Sequence, residues 1–261
     1  MTDCQLYLIS PLDVSGDFPQ RLERALDAGT GIATAFQFRV KGIDQHEAAK
    51  LAEPLQAICA ARDVAFIVND DVALAKRLNA DGVHLGQGDG EPKDAREELG
   101  HDIQVGVTCH ASKHLAMEAG EAGAAYVAFG AFFDSTTKAS EHRPDLEILE
   151  WWSTLFEIPC VAIGGITPEN CKPLIDAGAD FLAVSGSVWN GDEVAAIKAF
   201  AEQIGTAWVC YPEGADHAPG SGGFPRALND FRRCFLTRSG RVRHAGTGQR
   251  QRNRHSCCCE R

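Results

Sequence analysis

Long apolar runs are missing. No stretch of about 18 apolar residues occurs in the 261-residue chain, so no helical membrane span and no membrane partner are expected. A basic surplus is missing too: 25 Lys and Arg stand against 36 Asp and Glu, a net charge of −11. Phosphate backbones are bound through basic faces, so no nucleic-acid partner is expected, although a local basic pocket is still allowed. Met1-Thr2-Asp3-Cys4 lacks a basic segment followed by an apolar one, so no secretory leader is read and the cytoplasm is the expected location. Cys4, Cys59, Cys109, Cys160 and Cys171 lie in apolar surroundings without a C-x-x-C pair. They are expected to be buried free thiols. Cys257-Cys258-Cys259 has no ligand framework around it to make a metal site.

A Gly-rich nucleotide turn is also missing. Leu6-Tyr7-Leu8-Ile9 is followed by Ser10-Pro11-Leu12-Asp13, not by G-x-G-x-x-G. What is present is a recurrent unit, an apolar β-rich run followed by a helical pattern. The runs are 6–9, 34–40, 64–68, 82–85, 103–107, 125–129, 159–163 and 181–184. The helical patterns lie near 17–28, 45–61, 71–78, 92–99, 111–119, 145–155, 168–176 and 192–203. Near-continuous apolar strands are buried on both faces, as in parallel sheets. Eight such units in residues 1–204 predict an α/β chain folded as a single-domain (β/α)8 TIM barrel, in preference to an open doubly wound sheet.

Lysine disappears after residue 205. Residues 205–261 hold ten arginines and four acids, about +6, which leaves about −17 on residues 1–204. This Arg/Gly-rich tail lacks apolar periodicity and is expected to be disordered. It reads as the non-native end of a shifted frame in preference to a nucleic-acid arm.

In a (β/α)8 barrel the chemistry sits at the C-terminal ends of the strands. Polar and glycine clusters follow six of the later runs: Asn69-Asp70-Asp71, Gly86-Gln87-Gly88-Asp89, Thr108-Cys109-His110, Ser135-Thr136-Thr137-Lys138, Gly164-Gly165 and Ser185-Gly186. The second run ends in Gln37, Arg39 and Lys41, which alternate with Phe36 and Phe38 and would share one strand face. That set suits an anion such as pyrophosphate, or equally a solvated edge strand. Asp70 and Asp89 come from adjacent strands, and a pair of carboxylates suits Mg2+ completed by water and phosphate oxygens. Asp70 could instead cap the third helix, a role open equally to Asp71, and Asp89 could be a turn residue. Gly164-Gly165 and Ser185-Gly186 suit phosphate binding through backbone N–H groups, or tight turns alone. His84 reads as a satisfied core or rim group. His110 and His114 have metal-ligand spacing without a third ligand and read as flanking a helix. Trp151 and Trp152 read as packing residues of the sixth helix.

Taken together, these residues resemble the thiamine phosphate synthase family. The similarity runs from Leu6 to the eighth helix. It is carried by Q-F-R-V-K at 37–41, N-D-D at 69–71, D-G-V-H-L-G-Q-G-D at 81–89, G-V-T at 106–108, F-G-A-F-F-D-S-T-T-K at 129–138, I-G-G-I-T at 163–167 and V-S-G at 184–186. The resemblance implies a transferase of thiamine biosynthesis that joins hydroxymethylpyrimidine pyrophosphate to a thiazole phosphate, releasing pyrophosphate and giving thiamine monophosphate. It implies that Gln37, Arg39, Lys41, Asn69, Thr108 and Lys138 bind the pyrimidine pyrophosphate, with Arg39, Lys41 and Lys138 acting on the leaving group. It further implies Ser135, Thr137, Gly165, Val184 and Ser185 around the thiazole phosphate, and Asp70 and Asp89 on Mg2+. Thr108 stands where the family commonly has Ser, Ser135 where it has Thr, and Asp134 where it has Pro. An extra carboxylate beside a phosphate-binding loop is unfavourable unless it points away or is paired. The rival readings are a thiazole tautomerase of the same superfamily and a non-catalytic phosphometabolite-binding protein. The oligomeric state is left open, a homo-oligomer included.

Overall fold

The computed structural model describes residues 4–134 and 143–205. Its eight strands are parallel and close into a barrel in sequential order. They are β1 (Gln5–Ile9), β2 (Ala33–Phe38), β3 (Ala65–Asn69), β4 (Gly82–Leu85), β5 (Gln104–His110), β6 (Tyr126–Gly130), β7 (Cys160–Ile163) and β8 (Phe181–Val184). β1 closes the ring by pairing with β8, Gln5 opposite Phe181 and Leu8 opposite Val184. The helices are α1 (Phe18–Ala28), α2 (Gln45–Ala60), α3 (Val72–Leu78), α4 (Pro92–Leu99), α5 (Lys113–Glu121), α6 (Glu147–Leu155), α7 (Lys172–Asp176), α8 (Gly186–Trp189) and α9 (Glu193–Ile204).

The strands read as nearly all apolar because they serve two cores. Leu6, Leu8, Phe36, Phe38, Phe66, Val68 and Val83 face outward into the layer under the helices. Tyr7, Ile9, Ala35, Ala65, Ile67, Tyr126, Ala128, Val161, Phe181 and Ala183 fill the barrel interior. Alanine at four of these inner positions leaves room for the rings of Tyr7, Tyr126 and Phe181. Side-chain caps set the starts of α2, α3, α5 and α9. Asp44 accepts from the amides of His46 and Glu47, Asp71 from Leu74, Ser112 from Leu115, and Asp192 from Val194 and Ala195.

Three local expectations change. β2 stops at Phe38, not Val40, because the Arg39 amide donates to Ser10 Oγ at 2.9 Å and Ser10 Oγ donates back to the Arg39 carbonyl at 3.2 Å. A side chain thus takes over from the neighbouring strand, and Gln37, Arg39 and Lys41 do not share one strand face. α7 begins at Lys172 rather than near 168, since Thr167 N–H donates to Asn170 Oδ1 at 2.8 Å and holds 167–170 in a turn. α8 is an unpredicted short helix between β8 and the expected last helix.

The expected packing residues hold. Cys4, Cys59, Cys109, Cys160 and Cys171 are buried free thiols. Trp152 is fully buried and donates its indole N–H to the Ile158 carbonyl at 2.7 Å. Among the described residues no helix is long and apolar enough to cross a membrane. The segments 135–142 and 206–261 lie outside the described residues, and with them Ser135, Thr137, Lys138 and the Arg/Gly-rich tail.

Candidate active site

The strand ends of β2, β3, β4, β5, β7 and β8 bring the described candidates to one rim. Gln37 lies lowest. It is 3% exposed, points into the barrel and donates from Nε2 to Tyr7 Oη at 3.0 Å. Arg39, half-buried, leaves the strand with its backbone fixed by Ser10. Ser10 is itself buried, and Ser185 Oγ donates to its carbonyl at 3.4 Å. One serine therefore ties together the ends of β1, β2 and β8. Lys41 follows in an exposed loop.

Asn69 closes β3, and the chain then turns through Asp70 at a φ of 65°. Only a few non-glycine residues adopt this left-handed conformation, Asp and Asn among them, and it concentrates at functional sites. The turn is held by Asp70 N–H donating to the His84 carbonyl at 2.8 Å. Asp71 takes the helix-capping role and also accepts from Gln45 Nε2, so Asp70 is left to face the rim. Its neighbour there is Asp89. Burial first, then the Asp89 charge and a hydrogen bond with Asp89, raise the Asp70 carboxyl above the usual carboxylate range, while Lys41 and Asn69 pull it down. Asp89 in turn accepts from the Gly86 amide at 3.2 Å.

Two carboxylates pressed together, Asp70 half-buried and Asp89 exposed, are unfavourable alone and favourable around a hard divalent cation. Among the described residues no group of three or more His, Cys, Asp and Glu is placed to hold a metal. Asp70 and Asp89 offer carboxylate oxygens, the donor type that a hard divalent cation takes, and so fit such an ion by the chemistry of their side chains. His110 ends β5 and His114 lies on α5 beside Glu118 at 3.3 Å, so the spacing that suggested a ligand pair joins two separate elements.

Thr108 projects from β5 at mid-rim, half-buried. Its carbonyl accepts from Gln87 Nε2 at 2.5 Å and its hydroxyl lies 2.8 Å from His84 Nε2. His84 is buried, and burial pushes its pKa down to about 4, so the ring is neutral near pH 7. The reading of His84 as a satisfied interior group holds. Its Nδ1 lies 3.1 Å from Tyr126 Oη, which is 2.8 Å from Tyr7 Oη. Tyr7 and Tyr126 were not expected at the site. In an apolar run a tyrosine reads as core, and only the hydroxyl in a wholly buried strand signals a further role.

After β7, Gly165 has a φ of 63°, and a Cβ there would collide with the Asp134 carbonyl. The loop leaving β6 therefore packs directly on the glycine backbone, which Asn170 Nδ2 also fixes by donating to the Gly165 carbonyl at 3.0 Å. Asp134 is paired with Arg143, so its extra carboxylate does not stand unopposed beside that loop. Val184 ends β8, buried, and Ser185 follows at the rim.

A family model described as thiamine monophosphate synthase matches residues 6–188. A thiamine-phosphate synthase of Erythrobacter litoralis is 78% identical over 205 residues, covering 78% of this chain and 96% of its own. One from Rhodospirillum centenum is 52% identical over 191 residues, covering 73% and 91%. Among solved structures, a thiamine phosphate pyrophosphorylase from Pyrococcus furiosus superposes with a TM-score of 0.68 at 28% identity, covering 78% of this chain and 96% of that one.

Proposed function

The chain belongs to the thiamine monophosphate synthase family, and from that premise we propose which of its residues carry the reaction. The activity is that of a thiamine-phosphate synthase. Hydroxymethylpyrimidine pyrophosphate and a thiazole phosphate give thiamine monophosphate and pyrophosphate. One C–O bond breaks at the pyrimidine methylene and one C–N bond forms there from the thiazole nitrogen. The electron pair of the broken bond leaves with pyrophosphate. The pyrimidine ring donates electrons to the methylene carbon, so no protein nucleophile is required. The chain's task is to hold both substrates in line and to stabilise the charge that develops on the leaving group.

In this reading Arg39 and Lys41 grip the pyrophosphate, Lys138 joins them, and Gln37, Asn69 and Thr108 orient the pyrimidine portion. Ser135, Thr137, Gly165, Val184 and Ser185 surround the thiazole phosphate. Asp70 and Asp89 hold Mg2+, which when bound neutralises charge on the departing pyrophosphate. The observation that carries the assignment is Asp70, turned into a left-handed conformation against Asp89 with Lys41 near enough to bias its ionisation. Keeping this pair together with Arg39 and Lys41 favours the synthase over a tautomerase, which has no leaving pyrophosphate to stabilise. Five cysteines kept as free buried thiols suit a reducing compartment, and the cytoplasm is the proposed location.

The test is pyrophosphate release measured with both substrates present, with Mg2+ and with the metal chelated. Release that needs both substrates and Mg2+ is expected. Release without metal, or ligand binding and turnover unchanged in Asp89→Ala, would overturn the assignment.

A further inference from the structure

Beneath the rim a hydrogen-bonded chain crosses the barrel interior from β2 to β5. Gln37 Nε2 donates to Tyr7 Oη at 3.0 Å, Tyr7 Oη lies 2.8 Å from Tyr126 Oη, Tyr126 Oη lies 3.1 Å from His84 Nδ1, and His84 Nε2 lies 2.8 Å from Thr108 Oγ1. Tyr7 and Tyr126 are 1% and 0% exposed, and Gln37 and His84 are buried with them. Their surroundings are Ile67, Ala128, Val161 and Phe181. In such an interior a phenol or imidazole is tolerated only when its polar atoms are paired. The barrel is also shaped for the central member. Gly106 on β5 sits opposite Tyr126 in register, and a Cβ there would collide with the Tyr126 phenol.

We propose that this chain is a positioning device for the pyrimidine substrate, with Tyr126 the positioning residue that couples the Gln37 amide at one end to the Thr108 hydroxyl at the other. The inference rests on the reading of Gln37 and Thr108 as pyrimidine contacts. An amide nitrogen can only donate, so Tyr7 Oη accepts from Gln37, and its buried hydroxyl hydrogen is paired by donating to Tyr126 Oη. Tyr126 then donates to His84 Nδ1, which places the imidazole hydrogen on Nε2 and makes Thr108 Oγ1 an acceptor from below. The Thr108 proton is thereby turned away from His84 and left for a substrate acceptor. Rotating the Gln37 amide by half a turn would reverse every bond, so the two ends change together. Neither tyrosine hydroxyl needs to touch substrate for this to work.

The test is a double-mutant cycle of Tyr126→Phe and Thr108→Val, read as KM for each substrate and kcat, with thermal melts to establish that each variant is folded. Thr108→Val is expected to raise KM for the pyrimidine pyrophosphate about tenfold and Tyr126→Phe about fivefold, with the double variant no worse than Thr108→Val alone. KM for the thiazole phosphate is expected to stay within about twofold throughout, a split that general loosening of the barrel would not give. Losses that multiply in the double variant, or an equal rise in both KM values, would overturn the inference while leaving the assignment of Thr108 intact. An unchanged pyrimidine KM in Thr108→Val would overturn that assignment and the inference with it. Where Tyr126→Phe does not fold, Tyr7→Phe takes its place in the cycle under the same criteria.

Discussion

At Asp70 the electrostatics of the folded chain run against the metal-binding role proposed for it. Its carboxyl is raised by burial first and by Asp89 second, so near neutral pH its negative charge opposes the folded state. Asn keeps the shape and tolerates the φ of 65°. Asp70→Asn is therefore expected to raise the metal-free Tm by a few degrees, ~1 kcal/mol after solvent screening at this half-open position, as read by thermal melting. The same variant, like Lys41→Ala, is expected to lose at least about tenfold in turnover, or 1.4 kcal/mol of transition-state stabilisation, in the pyrophosphate-release assay. His84 carries the opposite sign. Its folded pKa of about 4 lies below the ordinary 6.5, so between those values the unfolded chain binds the extra proton. Stability from this group is complete above pH 6.5 and is lost as pH falls toward 4, by about 3 kcal/mol in all. Urea unfolding at pH 7.5 and 4.5 is expected to show that loss in the parent and a shallower pH slope in His84→Gln. The rim residues were legible because Asp, Asn, Lys and Arg stand out at the ends of apolar runs. Tyr7 and Tyr126 were not, since a buried tyrosine and a buried phenylalanine leave the same mark on a hydrophobic pattern.

Elements were legible where local chemistry decides them and illegible where a distant residue does. α4 lies where its pattern falls, behind Pro92 at the first turn, and α3 follows the Asp71 cap. The end of β2 depends on Ser10, 29 residues earlier, and no pattern around Val40 announces it. The contact between the first and last helices was equally hidden. Glu193 opens α9 with its side chain 7% exposed and accepts from Arg21 Nε at 2.9 Å and Arg24 Nε at 2.8 Å, across more than 160 residues of chain. Arg21 also donates to the carbonyls of Trp189 and Gly191, both at 2.9 Å. Burial alone would raise the Glu193 carboxyl, but the two arginines hold it below the usual range. This clip fastens α1 to α9 across the seam where β8 meets β1. Glu193→Ala leaves Arg21 without its carboxylate, and because both arginines are partly open to water the expected loss is about 2 kcal/mol, below that of a fully buried pair. Equilibrium denaturation measures it, and an unchanged midpoint would show that the seam holds without the clip.

For the molecule as a whole, eight strand–helix units were enough to predict the closed barrel, because parallel strands buried on both faces need a helix after each one. The same count marks where the barrel is complete. β8 pairs with β1, α9 ends at Ile204, and the family match ends at residue 188. The Erythrobacter relative reaches 96% of its own length within 205 aligned residues. Residues 205–261 are proposed to be an appendage of no use to the reaction, the reading to which the abrupt change from an acidic to an Arg-rich composition points. Removing residues 206–261 shifts the net charge from −11 to about −17 and takes away no residue of the proposed site. The shortened chain is expected to keep its Tm within about two degrees and both KM values within about twofold, since every strand and helix of the described barrel is retained. The comparison is made at low and at moderate salt, because a net charge lower by about six weakens long-range attraction to two anionic substrates mainly at low ionic strength. A KM that rises at low salt and recovers with added salt would assign the tail a steering role. A lower Tm at both salts would make it part of the folded domain and remove the boundary at 205.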